Sequence, residues 1–177
     1  MRGPEFKIKS DIIAEVYFKV TPLVNAPQNS IYFDDLAVGQ VFDYGPYLVE
    51  EEELVAFNQK WDPLPIHLDD AAARAKGLKS KSASGQYTLC VKQHFVNQSA
   101  WTKAVIGAMG FDEVRFPNPV YVGDELFARV EVAKLRVSKS KPDRGIVTLN
   151  FRLFNKDDVT VLTYIDTVMF SRRSPNT

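Results

Sequence analysis

The feature that most constrains the fold is a change in periodicity after Met109. From there towards the C-terminus, apolar residues alternate with polar ones, and Val, Phe, Leu, Ile and Thr are abundant. This alternation and this residue usage are typical of half-buried β-strands. In the segment KPDRG, proline presets a turn and Gly145 is free to adopt a positive φ, so a hairpin is predicted there. The pattern predicts four strands, at about residues 111–121, 124–138, 145–155 and 159–171.

Helical periodicity is found before those strands, first in the segment EEEELVAFNQKW. Its glutamates favour the positive end of a helix dipole. Leu54, Phe57 and Trp61 are spaced to form one apolar stripe along the predicted helix. Pro63 ends it, because proline cannot donate the next helical hydrogen bond.

Two more helices are predicted before the strands. A short one over DDAAARAKG closes at Gly77, and a longer one begins at Ser84–Gly85 and runs to about Trp101. Upstream, SIYFDDLAVGQVFDYG predicts an entry segment and a short strand, with Gly39 and Gly45 as breaks. One long helix followed by four long antiparallel strands predicts an α+β fold in which the sheet wraps around the helix.

Length and composition indicate an ordinary globular chain. The chain has 177 residues and a mass of 20.0 kDa, which suits one domain with one core. Its 22 Lys and Arg residues balance 22 Asp and Glu residues, so no nucleic-acid or membrane-surface partner is expected. We expect an N-terminal extension over 1–30, one domain over 31–172 and a tail over 173–177.

The single cysteine, Cys90, excludes an internal disulfide framework and suits a reducing compartment. No apolar run approaches the roughly 18–20 residues of a transmembrane helix. Charged residues interrupt the N-terminal segment MRGPEFKIKSDIIAEVYFKV, so we do not expect a secretory signal. We expect a cytoplasmic location. Two histidines and one cysteine at unrelated spacings form no zinc pattern.

The stretch WDPLPIHLDD places Asp62 five residues before His67. A carboxylate and an imidazole on one short loop can share a water molecule and move protons near neutral pH. Pro63 and Pro65 stiffen the loop, which lowers the entropy lost in holding the pair. By spacing alone, the same two residues fit a helix cap and a surface histidine.

The order of several motifs resembles that of the MaoC-type acyl dehydratases, hot-dog-fold relatives of the (R)-specific enoyl-CoA hydratases. The motifs are D-x-x-P-I-H-x-D, a helix opened by a small residue and glycine, and FxxPVxxGDxL, followed by a SKSKPDRGIV-like hairpin. The resemblance covers about residues 31–172 and implies a single hot-dog domain. The matching positions are Asp62, Pro65, Ile66, His67, Asp69, Ser84, Gly85, Phe116, Pro119, Val120, Gly123, Asp124 and Leu126.

The resemblance also implies roles for individual residues. Asp62 and His67 would flank a water molecule and activate it for attack on the β-carbon of a 2-enoyl thioester, and one of them would supply the α-proton. Ser84 and Gly85 would bind the substrate, with the Gly85 N–H donating to the thioester carbonyl. The substrate would be an acyl-CoA or another acyl thioester, with coenzyme A as part of the substrate and no further cofactor. A homodimer is implied as the smallest assembly.

A helix start at Gly85 agrees with these roles on physical grounds. The first turn of a helix has unpaired N–H donors and a positive dipole end, and glycine lets a substrate approach the backbone closely. A plain helix start without catalytic function has the same sequence. The cationic run Arg74, Lys76, Lys79 and Lys81 would suit the phosphates of coenzyme A, or form a solvated loop.

Four positions depart from the hydratase pattern. Trp61 stands where glycine is common, Leu64 stands where asparagine is common, Ser84 replaces histidine, and Gln93 occupies the position of an active-site serine. Leu64, Ser84 and Gln93 keep open the alternative of a non-catalytic acyl-thioester-binding protein. A hot-dog acyl-CoA thioesterase is the other alternative, because that chemistry also needs a helix N-terminus at the carbonyl and a carboxylate that directs water.

Overall fold

The computed structural model describes residues 30–173. The expected N-terminal extension and C-terminal tail therefore lie outside the described residues, apart from Ser30 and Arg173. Four helices and five strands follow a short 3₁₀ turn at Phe33–Asp35. The helices are α1 (Glu51–Trp61), α2 (Pro65–Leu68), α3 (Asp70–Arg74) and α4 (Gly85–Asn97). The strands are β1 (Val41–Leu48), β2 (Val105–Arg115), β3 (Glu125–Val137), β4 (Arg144–Asn155) and β5 (Thr160–Ser171).

All five strands form one antiparallel sheet in the order β1-β3-β4-β5-β2. The helix α4 packs against one face of this sheet, where Tyr87, Val91 and Phe95 are almost fully buried. Burying each such side chain contributes about 1.5–3 kcal/mol. The predicted α+β architecture, with a sheet around a long central helix, is confirmed.

The predicted strands β3, β4 and β5 agree with the structure to within a residue or two. The strand predicted at 111–121 is displaced, because β2 begins at Val105 and ends at Arg115. Two irregularities in its pairing with β5, between 105 and 107 and between 108 and 110, obscure the alternation at its start. Pro117 and Pro119 lack the N–H groups that would extend the strand.

Two predicted glycine roles were wrong. Gly45 does not break β1 but lies inside it, at a bulge between Tyr44 and Tyr47 where its φ is +126°. Gly145 lies in β4 and is not among the residues with positive φ. The ring of Phe33 occupies the space that a β-carbon at position 145 would need. Glycine is required there for close packing.

The helix predicted first in the sequence is α1, but its buried face differs from the predicted stripe. Leu54 is fully buried, whereas Trp61 is 63% exposed at the C-terminal end. Asn58, one turn after Leu54, is fully buried in its place. The helix α4 ends at Asn97, short of Trp101, which packs edge-on against an aromatic ring of β1.

Within residues 30–173, no helix is long and apolar enough to cross a membrane. The same residues contain no group of three or more His, Cys, Asp or Glu side chains arranged to hold a metal ion.

A buried charged pair lies between α4 and β5. Lys92 on α4 is 2% exposed and Asp166 on β5 is 6% exposed. Burial raises the pKa of Asp166 to about 6, although the Lys92 ammonium opposes this shift. The folded protein therefore holds the Asp166 proton more tightly than the unfolded chain does.

This pKa predicts a pH-dependent loss of stability. A carboxyl group with a raised folded-state pKa contributes stability below pH of about 4, which is lost as the pH rises through about 6. We expect Asp166→Asn to remove this loss, so that the variant gains on the order of 3 kcal/mol relative to wild type between pH 4 and pH 7. Urea unfolding of both proteins at several pH values measures the difference. Asp157→Asn, in the exposed turn between β4 and β5, is the control and should follow wild type.

Candidate active site

Asp62 and His67 are positioned by the end of one helix and the start of the next. The N–H of Asp62 donates to the Asn58 carbonyl at 2.9 Å and closes α1. Pro65 is the first residue of α2, where its fixed φ suits a helix and its missing N–H costs nothing. This single turn, which the sequence analysis did not predict, carries His67 into the interior, where it is 8% exposed.

The two side chains face each other without a direct hydrogen bond. His67 Nε2 lies 3.8 Å from Asp62 Oδ2, which is beyond hydrogen-bonding distance. The Asp62 side chain is 29% exposed and the His67 side chain 10%, so solvent reaches the carboxylate more than the imidazole. The pair is thus open on one side and enclosed on the other.

The other ring nitrogen of His67 determines its tautomer. Nδ1 lies 2.8 Å from the carbonyl oxygen of Ser82 and 3.3 Å from the Ser82 hydroxyl. A carbonyl oxygen only accepts hydrogen bonds, so Nδ1 carries the proton. In the neutral ring, Nε2 is therefore the basic nitrogen, and it is the one that faces Asp62.

Asn58 connects the segments of this site, and the sequence analysis missed it. Its side-chain amide donates to the carbonyls of His67 (3.1 Å) and Ser82 (3.3 Å), and its oxygen accepts from the N–H of Ser84 (3.3 Å). One residue on α1 thus holds the histidine turn and the start of α4. A polar residue one turn after Leu54, on the buried side of a helix, was the available signal.

The helix α4 begins at Gly85, after Ser84, as the sequence predicted. Ser84 is the N-cap and its hydroxyl accepts a hydrogen bond from the N–H of Tyr87 at 3.2 Å. Ser84, which was predicted to bind substrate, is fully buried and caps the helix. Within the described part of the chain, the N–H groups of Gly85 and Gln86 donate to no other group. These are the donors available at the helix start.

Phe116, which follows β2, packs directly against Gly85. Three of its ring carbons lie 3.1–3.4 Å from the place where a β-carbon on residue 85 would be. The space that glycine leaves is therefore filled by an aromatic ring, where the sequence analysis expected an approaching substrate. Phe116 is itself 46% exposed and forms part of the wall beside the helix start.

The cationic residues between positions 74 and 81 form two groups, one exposed and one paired with a carboxylate. Arg74, Lys76 and Lys79 are exposed. Lys81 instead pairs with Glu51 at 2.6 Å, and a hydrogen bond to that carboxylate raises the pKa of the Lys81 ammonium. Lys81 therefore joins α1 to the segment before α4, and three cations remain at the surface.

A family model described as a MaoC like domain matches residues 34–150. This span includes the Asp62–His67 pair, Asn58 and the start of α4. The chain belongs to the MaoC-like family.

Solved structures agree with this assignment. The MaoC-like dehydratase from Rhodospirillum rubrum is 34% identical, with a TM-score of 0.77 over 82% of this chain and 100% of its own. The (R)-hydratase from A. caviae is 28% identical, with a TM-score of 0.60 over 75% of this chain and 96% of its own.

A conserved hypothetical protein from Mycobacterium tuberculosis has a double hot-dog fold and is 27% identical to this MaoC-like chain. The TM-score is 0.73, and the match covers 84% of this chain and 46% of that protein. The hot-dog fold is therefore confirmed for this chain. Together, the relatives support hydratase or dehydratase chemistry in general.

Proposed function

We propose that this MaoC-like protein catalyses reversible addition of water to a 2-enoyl thioester, giving a 3-hydroxyacyl thioester. The observation that carries the proposal is the geometry of Asp62 and His67. A basic imidazole nitrogen with its tautomer fixed faces a carboxylate at 3.8 Å, and one water molecule beside the two groups can form hydrogen bonds to both. Such a pair serves a reaction in which water is both deprotonated and added.

In the proposed mechanism, the water oxygen forms a bond to the β-carbon while His67 Nε2 or the Asp62 carboxylate takes its proton. The electron pair of the double bond moves towards the thioester carbonyl, and a proton from the acid–base pair is delivered to the α-carbon. The Ser82 carbonyl accepts a hydrogen bond from Nδ1 and so holds the imidazole with Nε2 facing Asp62. Atoms balance, because one water molecule is added across one double bond.

The start of α4 would stabilise the negative charge that develops on the thioester oxygen. The N–H of Gly85 has no partner within residues 30–173 and lies at the positive end of a 13-residue helix. Donors fixed before the reaction cost no reorganisation as the charge forms, and one such donor is typically worth about 100- to 1000-fold in rate. Phe116 would shield this oxygen from water on one side.

The experiment that tests the function is a panel of trans-2-enoyl-CoA substrates of short, medium and long chain length. Loss of the enoyl absorbance and release of free thiol are followed in the same reaction. We expect loss of the double bond without thiol release. Thiol release with an intact double bond would indicate a thioesterase, and saturable binding without turnover across the panel would indicate a non-catalytic acyl-thioester-binding protein.

We also propose a homodimer, built on the edge strand β2. In the described sheet β2 pairs with β5 alone, and it exposes Ile106, Met109 and Phe111 by 46%, 57% and 44%. A long edge strand with exposed apolar side chains favours pairing with a second strand, and two-fold dimers are the commonest oligomers.

Light scattering should therefore give about twice the chain mass of 20.0 kDa. Met109→Glu should shift the mass towards that of one chain, because it places charge in the contact. Val137→Glu is the matched control, since Val137 is a similarly exposed apolar residue on β3. A wild-type mass of one chain at micromolar concentration would refute the dimer.

A further inference from the structure

A cavity of about 160 Å³ lies between the second half of α4 and strands β2, β4 and β5. Asp62, His67 and their hydrogen-bonding partners do not line it, but Gln93, which occupies the position of the active-site serine in the hydratase pattern, does. Its walls are mostly aliphatic and aromatic, and include Val96, Phe111 and Phe151. Two polar residues, Gln93 and Asp166, interrupt this apolar lining. An apolar cavity of this size accommodates a molecule such as benzene.

Asp166 lines this cavity with a carboxylate oxygen whose hydrogen bonding is not satisfied. It is 6% exposed, and within the described residues its Oδ1 atom has no hydrogen-bond partner. A buried carboxylate oxygen without a donor is costly, and native structures rarely leave one unpaired. The site therefore has an unused acceptor beside an apolar space.

Lys92 is close enough to balance the charge of Asp166, but its contacts are elsewhere. Its ammonium donates to the Gln93 side-chain oxygen at 3.1 Å and lies 4.3 Å from the ring centre of Phe111 and 5.0 Å from that of Tyr164. With Lys92 and Asp166 both charged, the pair has no net charge. A charged ligand would add an uncompensated charge to a buried apolar site, so the complementary ligand is neutral.

We propose that this cavity binds a neutral apolar group of about benzene size that carries one hydroxyl, and that this hydroxyl donates to Asp166. A hydrogen bond to an ionised acceptor is about twice as strong as one between neutral groups. Because burial raises the pKa of Asp166 to about 6, the acceptor is ionised at pH 8. The apolar walls contribute affinity, and Asp166 contributes the preference for a hydroxyl.

Two sources would supply this chemistry. One is a free small molecule such as a phenol, and the other is the distal end of an acyl chain bound at the Asp62–His67 site. Gln93 follows Gly85 by eight residues on α4, which corresponds to about 12 Å along the helix axis. The second source rests on the proposed function, whereas the first does not.

The first test measures binding of phenol and benzene at pH 8 by calorimetry. Phenol should bind wild type about tenfold more tightly than benzene. In Asp166→Leu this preference should disappear while benzene still binds, and in Asp157→Asn it should be unchanged. Equal binding of the two probes to wild type, or binding of neither, would overturn the proposal without reliance on any variant.

The second test compares enoyl-CoA substrates that differ by a hydroxyl at the end of the acyl chain. If the acyl chain is the source, kcat/KM should be about tenfold higher for the hydroxylated substrate in the wild-type enzyme, and the ratio of the two kcat/KM values should fall to about one in Asp166→Leu. A phenol preference without any hydration of either substrate would support the free-molecule source and contradict the proposed function alone. Equal kcat/KM values, together with a phenol preference, would assign the cavity to a free ligand.

Discussion

His67→Ala is expected to lower kcat for enoyl-thioester hydration by about 100- to 10,000-fold, the usual contribution of general acid–base catalysis. Asp62→Asn should give a loss of similar size, because it keeps the shape of the side chain but removes its charge. The fold should survive both changes, since Asp62 is partly exposed and His67 lies on a single helical turn. Circular dichroism and steady-state kinetics on the same preparations measure the two effects.

The double variant gives a stricter form of this test. If Asp62 and His67 act on one water molecule, removing both should cost little more than removing one, because residues that act as a unit are not additive. Asp112→Asn, an exposed carboxylate on β2, is the control and should keep wild-type rates. Full activity in either single variant would exclude this pair as the catalytic groups.

Asn58→Leu is expected to lower both stability and turnover. The change keeps the approximate volume but removes three hydrogen bonds, and it leaves the carbonyl of His67 and the N–H of Ser84 without this buried partner. Orphaned buried polar groups cost about 1–3 kcal/mol each, so a total loss of about 3 kcal/mol is expected. Urea unfolding measures this loss.

The kinetic effect of Asn58→Leu separates positioning from simple destabilisation. At a temperature where the variant is fully folded, kcat should still fall by about 10- to 100-fold, because small displacements of reacting groups are costly. Gln59→Leu is the matched control, the corresponding change at the exposed neighbouring position of the same helix. A variant that is less stable but keeps wild-type kcat when folded would show that Asn58 has a structural role alone.

The sequence predicted elements best where one pattern persists over a whole element. Strands β3 to β5 bury alternate residues along most of their length, so period two is visible in the sequence. β2 lies at the sheet edge with most of its residues exposed, and its pairing shifts interrupt the alternation. Burial on one face therefore decides whether a strand can be recognised.

The candidate site was likewise predictable only in part from the sequence. The five-residue spacing of Asp62 and His67 on a proline-stiffened loop predicted that they would lie close together. The partners of His67 could not be predicted from spacing. The Ser82 carbonyl that accepts from the imidazole lies fifteen residues further along the chain, and Asn58, which binds the His67 carbonyl, lies within a helix. Phe116 follows the edge strand β2 and contacts Gly85 only in the folded chain. Contacts of this kind depend on the tertiary fold.

The groups proposed to move protons and to hold the thioester all lie on one continuous segment, from Asn58 to Gly85. Hydrogen bonds of the Asn58 side chain connect the parts of this segment. The cavity near Asp166 is built from other parts of the chain, mainly the strands and the second half of α4. The residues proposed for the reaction and those proposed for ligand preference therefore lie in separate regions of the sequence. With this division, substitutions in the sheet would change which molecule is accepted while the reactive segment stays as it is, and the two properties would be free to diverge independently.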